Sequence, residues 1–424
     1  MLRFLYERNM PKQNRRDLFK FGAAAGAALL FTSARAAPAK APPADNRWSN
    51  SPGPGVDFSP YGRPSSYEKD VIRRYVPWLS PTTQADVNFT PLQDQPGIIT
   101  SNGLFFGRHH SGWPSINPDK YRLMITGMVK NPLILTLDQL MRFPTISRIH
   151  FIECPANGAS EWPGAQLNSL QFTHGMIGCA LWTGVRLSTL LDEVGLQPGA
   201  RWVLATGSDA AHMDRSLPLA KCLDDCIIAW GQNGEALRPE QGYPIRLVVP
   251  GWQGNVNIKW LRQLQVGNEP WITREETSEY SELLPSGEAL GFTWMMDAKS
   301  VVTFPCPEKP LIGGPGFYEI RGLAWSGRGK VREVDVSLDG GVNYQRAILD
   351  QPILSKCLTR FTFPWRWDGK PALIQSRVTD DTGYVQPTIM QKQKFWGSDP
   401  VYENNSIQTW QVLTDGKVDN VQLS

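Results

Sequence analysis

Arg148-Ile-His-Phe-Ile-Glu-Cys154-Pro155-Ala-Asn157-Gly158-Ala-Ser-Glu161-Trp162 is the most informative stretch of this 424-residue chain. Ile149, Phe151 and Ile152 form an apolar, β-prone run that delivers one cysteine to the start of a Pro/Asn/Gly loop. Such a junction is a strand ending where a pocket can open. A thiolate there serves as a nucleophile or a soft metal ligand. On position alone a cysteine in inert packing reads the same way.

Three other segments bear on Cys154. Phe105-Phe106-Gly107-Arg108-His109-His110 sets an arginine and two histidines among aromatics, which is costly to bury without an anion. A surface loop with one aromatic anchor is the other reading. Adjacent histidines on a strand point to opposite faces, which argues against both binding one metal. Arg246 lies inside the apolar run Ile245–Val249, where a guanidinium needs a bidentate partner such as phosphate. Lys259-Trp260 follows Pro250-Gly251-Trp252-Gln253-Gly254, whose glycines let backbone approach a ligand while the lysine adds a point charge. An ordinary ion pair would account for Arg246 or Lys259 taken singly. Together the segments describe a site for a large, phosphorylated, anionic cofactor beside a soft ligand.

The N-terminus carries Asn14-Arg15-Arg16-Asp17-Leu18-Phe19-Lys20, then a short Ala/Gly-rich apolar stretch and Ala34-Arg35-Ala36. This pattern predicts a twin-arginine export signal over residues 1–36 and a periplasmic protein exported folded. The stretch is too short and too weakly apolar to span a bilayer, and no other window is long enough, so no membrane span is expected. Residues 1–36 hold seven Lys/Arg and two acids, a net of +5, whereas the whole chain is +3; the remainder is therefore about −2. That balance gives no support for nucleic-acid binding. The six cysteines (154, 179, 222, 226, 306, 357) are too sparse for a disulfide framework. Cys222 and Cys226 could bridge, and their spacing leaves the question open. There is no Cys-x-x-Cys-His, so no c-type haem is expected on this chain.

The Pro/Ala/Ser/Gly-rich residues 37–65 read as a linker or extended arm, which the expected organisation carries to residue 89. An α+β domain is expected over 90–290. Within it Tyr121–Gly127 alternates like a strand, Thr136-Leu-Asp-Gln139 resembles a capping box, and Leu187, Leu190, Leu191 and Val194 share one helix face before Gly195. Over 291–400, Val334/Val336/Leu338 and short strands near Phe361–Phe363 and Leu373–Val378 predict an all-β sandwich with a hairpin at Asp339-Gly-Gly341. Residues 401–424 are expected to be a C-terminal tail.

The chain resembles the sulfite oxidase family of molybdenum enzymes. The matching strings are Asn102-Gly-Leu-Phe-Phe-Gly-Arg108-His109-His110, His150-Phe-Ile-Glu-Cys154, Thr173-His174-Gly175 and Trp230-Gly-Gln-Asn-Gly-Glu-Ala-Leu-Arg-Pro-Glu240. They continue with Gly242-Tyr-Pro-Ile-Arg246-Leu-Val-Val-Pro-Gly251, Ile258-Lys259-Trp260-Leu261, Gly322–Lys330 and Val334–Gly341. Within the family they are most similar to the branch formed by the molybdoprotein subunits of sulfane dehydrogenases, from thiosulfate-oxidising systems.

The resemblance implies a mixed α+β molybdopterin-binding domain followed by an immunoglobulin-like domain that makes a homodimer. It implies the molybdenum cofactor, with Cys154 as the metal ligand. It places Phe106, Arg108, His109, His110, Asp209, Arg246, Lys259 and Trp260 at the cofactor, and Arg108, Tyr280 and Cys154 at the reaction. It further implies oxidation of sulfane sulfur on a carrier protein, with electrons passing to a c-type cytochrome subunit. Animal sulfite oxidases carry another arginine shortly after the metal-binding cysteine; here the stretch is Gly158-Ala159-Ser160. A small dianion would lose one charge-assisted hydrogen bond, about 1.5–3 kcal/mol, which argues against free sulfite. Sulfite:cytochrome c oxidoreduction, a non-catalytic exported binding module and sulfoxide reduction are the alternatives.

Overall fold

The computed structural model describes residues 61–423 apart from 78, 79, 81, 83, 398 and 399. The export signal and residues 37–60 of the expected arm lie outside the described residues. From Ser66 onward the chain forms one compact unit.

The strand Thr145–Glu153 pairs antiparallel with Ile177–Arg186 along its whole length, from Thr145↔Val185 to Glu153↔Ile177. It stops at Glu153, so Cys154 opens the following loop, as its apolar run predicts. Ile227–Gln232 extends this sheet and takes Arg246–Val248 on part of its other edge. A second sheet runs in the order Leu133–Leu135, Leu123–Gly127, Leu261–Gly267, Trp202–Gly207, Asp214–Pro218. Its Leu123–Gly127 and Leu261–Gly267 pair is parallel, which makes the sheet mixed. Val185, Ile228 and Leu247 of the first sheet share a buried cluster with Ile125, Val203 and Leu264 of the second.

Short helices close this core. Leu187–Val194 buries Leu187, Leu190, Leu191 and Val194 completely, and Gly195 caps it. Leu137–Leu140 begins with a capping box in which the Thr136 hydroxyl accepts from Gln139 N–H and the Gln139 side chain accepts from Thr136 N–H.

Part of the expected arm is sheet. Arg74–Tyr75 pairs with Asp86–Phe89, which pairs with Gly107–His109 in the register Asp86↔His109, Val87↔Arg108 and Asn88↔Gly107. Residues 86–89 therefore brace the Arg108 strand.

The second domain is a sandwich. One sheet holds Lys299–Phe304, Gly316–Trp325, Thr359–Trp367 and Ile348–Leu349. The other runs Gln345–Arg346, Val331–Ser337, Ala372–Asp380, Thr409–Val412, Val418–Val421. The last two strands correct the expectation of a tail from residue 401. Trp410, Val412 and Val418 are buried, and Trp410 Nε1 donates to Val302 O at 2.9 Å across the sandwich. Their apolar residues complete the core, so the segment cannot hang free. All six cysteines are unbridged and buried, Cys222 and Cys226 within the first domain's core. Among the described residues no helix is long and apolar enough to cross a membrane.

Candidate active site

Cys154 stands at the junction of two chambers. Its N–H donates to Met176 O at 2.9 Å and its carbonyl accepts from Asn157 N–H at 2.9 Å, so backbone fixes the turn. The first chamber holds about 700 Å³ of empty space, counting the part open to solvent. Its lining includes every residue that the sequence placed at the site: Phe106, Arg108, His109, His110, Cys154, Asp209, Arg246, Lys259, Trp260 and Tyr280. The second holds about 1200 Å³ and shares Arg108, His110, Cys154 and Tyr280 with the first.

The first chamber is cationic. Arg246 is 3 % exposed inside its strand, yet it faces no carboxylate. Its guanidinium donates to Gln241 O at 3.0 Å and Asn257 O at 3.1 Å, and packs over the Trp182 ring. Its Nε has no partner. Burial pushes it down from 12.5 to about 9. Lys259 Nζ donates to Arg108 O at 3.0 Å, Glu240 O at 3.3 Å and His109 Nδ1 at 2.8 Å. Burial first, then Arg246, holds Lys259 well below the ordinary lysine range. Among the described residues neither Arg246, Lys259 nor Arg108 makes an ion pair, so the ion-pair reading fails for Arg246 and Lys259.

His109 is driven down to about 2 by burial and then by Lys259, so it is neutral. Because Lys259 donates to Nδ1, the ring proton sits on Nε2, which is buried without an acceptor. Among the described residues Asp209 is the only carboxylate lining this chamber. It is buried, accepting from Met213 N–H at 3.0 Å and Ser111 Oγ–H at 3.3 Å. Trp260 takes a left-handed φ of 50° and anchors its indole N–H on Pro239 O at 2.7 Å. This kink puts the Lys259 ammonium over the Trp260 ring at 4.5 Å.

The two histidines depart from the expectation of opposite faces. The strand ends at His109, so His110 is free of strand alternation and both line the chamber. His110 Nε2 lies 3.1 Å from the Tyr280 hydroxyl. Burial lowers His110 to about 4 and raises Tyr280 well above 10, so both are neutral and the phenol keeps its proton. Arg215 stacks over the Tyr280 ring at 5.1 Å and pairs with Glu276 behind it.

Gln241, Asn255 and Asn257 also line the chamber and were missed from sequence. Gln241 donates to Phe106 O at 3.0 Å and Asn257 Oδ1 accepts from Val249 N–H at 2.7 Å, so they shape its wall. The Asn-x-Asn after Gly254 was the available signal. No group of three or more His, Cys, Asp or Glu that could hold a metal occurs among the described residues. A metal at Cys154 would therefore take its other donors from a bound cofactor.

The donor set fits such a group. Three cations without ion pairs, two buried N–H groups without acceptors and one soft sulfur suit an anionic, acceptor-rich ligand carrying a soft metal. Burial raises the Cys154 thiol, while the Ala156 N–H and Arg108 pull the other way. Metal binding requires the thiolate.

Residues 110–274 match the family described as "Oxidoreductase molybdopterin binding domain", and residues 291–405 match "Mo-co oxidoreductase dimerisation domain". The chain belongs to the sulfite oxidase family of molybdenum enzymes, with the cofactor that family carries. It is similar to the solved sulfane dehydrogenase SoxCD from Paracoccus pantotrophus, with 48% identity and a TM-score of 0.87 over 89% of this chain and 97% of that one. Mitochondrial sulfite oxidase of Mus musculus is 31% identical over 76% of this chain, and that of Drosophila melanogaster 34% over 64%. The chain spans 63% and 51% of those two relatives.

Proposed function

We propose that this chain is the molybdenum-binding subunit of a periplasmic sulfane dehydrogenase. It would oxidise sulfane sulfur carried on a partner protein's cysteine and pass electrons to a c-type cytochrome. Its second domain would join two copies into a homodimer. The twin-arginine signature supports periplasmic export, and the likeness to a sulfane dehydrogenase supports the substrate class.

The observation that carries the substrate reading is the second chamber. Val76, Val87, Phe89, Phe172, Met176 and Val401 line it, and among the described residues its only charged lining residues are Arg108 and Glu279. Ala159 and Ser160 stand in its wall, and among the described residues no second cation lines it beside Arg108. An apolar vestibule admits a nearly neutral sulfur on an extended arm and pairs poorly with a hydrated dianion.

When bound, the molybdenum cofactor supplies the two-electron oxidation and the oxygen that sulfur acquires. Arg246, Lys259 and His109 Nε2–H would hold its anionic and acceptor groups. Cys154 would ligate the metal. Arg108, which lines both chambers, would stabilise negative charge gathering on the oxidised sulfur group. Tyr280 offers a hydroxyl hydrogen bond whose direction His110 sets. The apolar vestibule excludes water from the reactive sulfur.

Steady-state assays with cytochrome c as acceptor test this. A persulfide-bearing carrier protein should turn over in molybdenum-loaded protein, and free sulfite poorly. Vigorous turnover of free sulfite with no carrier would favour a sulfite dehydrogenase. Purified protein without molybdenum or pterin would reduce the chain to a binding module.

A further inference from the structure

The second domain grips the cysteine loop. Lys299, on the strand Lys299–Phe304, extends its ammonium 3.3 Å from Glu153 Oε1 and donates to Asn157 O at 2.6 Å. Trp325, at the end of Gly316–Trp325, donates its indole N–H to Glu153 Oε2 at 2.6 Å. Asn157 Nδ2 closes the ring on Glu153 Oε1 at 2.9 Å. Farther along, Glu403 N–H donates to Pro155 O at 3.0 Å and Asn404 Nδ2 to Gly158 O at 3.1 Å. Lys299, Trp325, Glu403 and Asn404 all fall within residues 291–405, the part matched to a dimerisation domain. Every loop atom they hold lies between residues 153 and 158.

The ion pair at the centre is fully withdrawn from water, with Glu153 0 % and Lys299 3 % exposed at the side chain. A buried ion pair adds little stability over apolar residues of the same volume. Fixing one conformation is its better-attested use, and Glu153 immediately precedes Cys154. We infer that Lys299 and Trp325 are positioning residues, which act through Glu153 and Asn157 to hold the Cys154 thiol where a cofactor-borne metal meets it. The domain known for dimerisation is thus also a support of the metal centre. This rests on Cys154 being the metal ligand.

The test uses the full chain, loaded and cofactor-free. Its variants are Trp325→Phe, the near-isosteric pair Glu153→Gln with Lys299→Met, and Lys299→Arg as the conservative rescue. Ser326→Ala, which removes a buried hydrogen bond to Asp380 in the same domain, controls for general destabilisation. Loss of molybdenum on dialysis should quicken about 10- to 100-fold in Trp325→Phe and the double variant, the range for outer-shell partners of metal ligands. The paramagnetic resonance of the one-electron-reduced metal should shift or broaden in both, and Lys299→Arg and Ser326→Ala should keep the wild-type signal. In cofactor-free protein, iodoacetamide should alkylate Cys154, located by mass spectrometry, faster in the two gripping variants than in Ser326→Ala. A folded double variant with wild-type resonance, metal retention and alkylation overturns the inference. Wild-type protein that binds no molybdenum would instead sink the functional reading, and the alkylation arm would still decide this one.

Discussion

Replacing Arg246 by methionine separates a cofactor-binding arginine from a structural one. The guanidinium is buried against neutral groups, and the gap between about 9 and its ordinary 12.5 corresponds to about 5 kcal/mol against the charged form. Its charge-assisted hydrogen bonds to Gln241 and Asn257 return about 1.5 kcal/mol each, the low end for a charged donor, and its contact with Trp182 about 1–2 kcal/mol. The two sides nearly cancel. Arg246→Met should therefore change the stability of cofactor-free protein by no more than about 2 kcal/mol in urea unfolding. An arginine whose role is a buried ion pair would lose about 3–5 kcal/mol on truncation. The loaded protein should behave otherwise. Loss of one charge-assisted hydrogen bond weakens cofactor retention by about 1.5–3 kcal/mol, or about 10- to 150-fold, read as molybdenum content after dialysis. Loss of 3 kcal/mol or more in the cofactor-free protein, with molybdenum content unchanged, would refute the reasoning.

Ala159→Arg should restore a second cation to the vestibule and lower KM for free sulfite about 10- to 150-fold, measured with cytochrome c as acceptor. Position 159 is chosen because Gly158 has φ 97°, where a side chain is strained. Tyr280→Phe removes the hydroxyl beside His110 and should lower kcat about 100-fold with molybdenum content unchanged, which steady-state kinetics and metal analysis check together. Cofactor-free protein should lose stability as pH falls from about 6.5 to 4.5, seen in urea midpoints. His109 at about 2, His110 and His150 at about 4 and His174 well below 6.5 stay neutral when folded but protonate when unfolded, so the unfolded state binds more protons. Glu161, raised to about 7, and Glu403, raised to about 8, act in the opposite sense, as do Asp214 and Glu282, which burial raises less, so the net loss should be smaller than the four histidines alone would give.

Local patterns foretold much of this molecule. Leu187, Leu190, Leu191 and Val194 mark a helix face by spacing, and the apolar run before Cys154 marks where its strand ends. Arg246 betrayed the cofactor chamber because a charge within an apolar strand demands an explanation. Arg74–Tyr75 was opaque because two residues show no period, although they cap the sheet that braces Arg108. The strands Thr409–Val412 and Val418–Val421 were missed as four-residue pieces with distant partners, such as Val302, which accepts from Trp410 across more than a hundred residues. Tyr280 follows a single wide helical turn, Glu275–Glu279, and no local pattern singles it out; only resemblance to the family did. Lys299 and Trp325 were invisible for a related reason. Their partner Glu153 is distant in sequence, and a lysine opening a strand is ordinarily solvated.

Mo K-edge X-ray absorption of the purified protein, wild type against Cys154→Ser, measures the metal's own sulfur shell. The spectrum should show molybdenum with pterin sulfurs plus one more, and the serine variant should lack that one. Wild-type protein without molybdenum, or a sulfur shell that the substitution leaves untouched, would contradict the assignment.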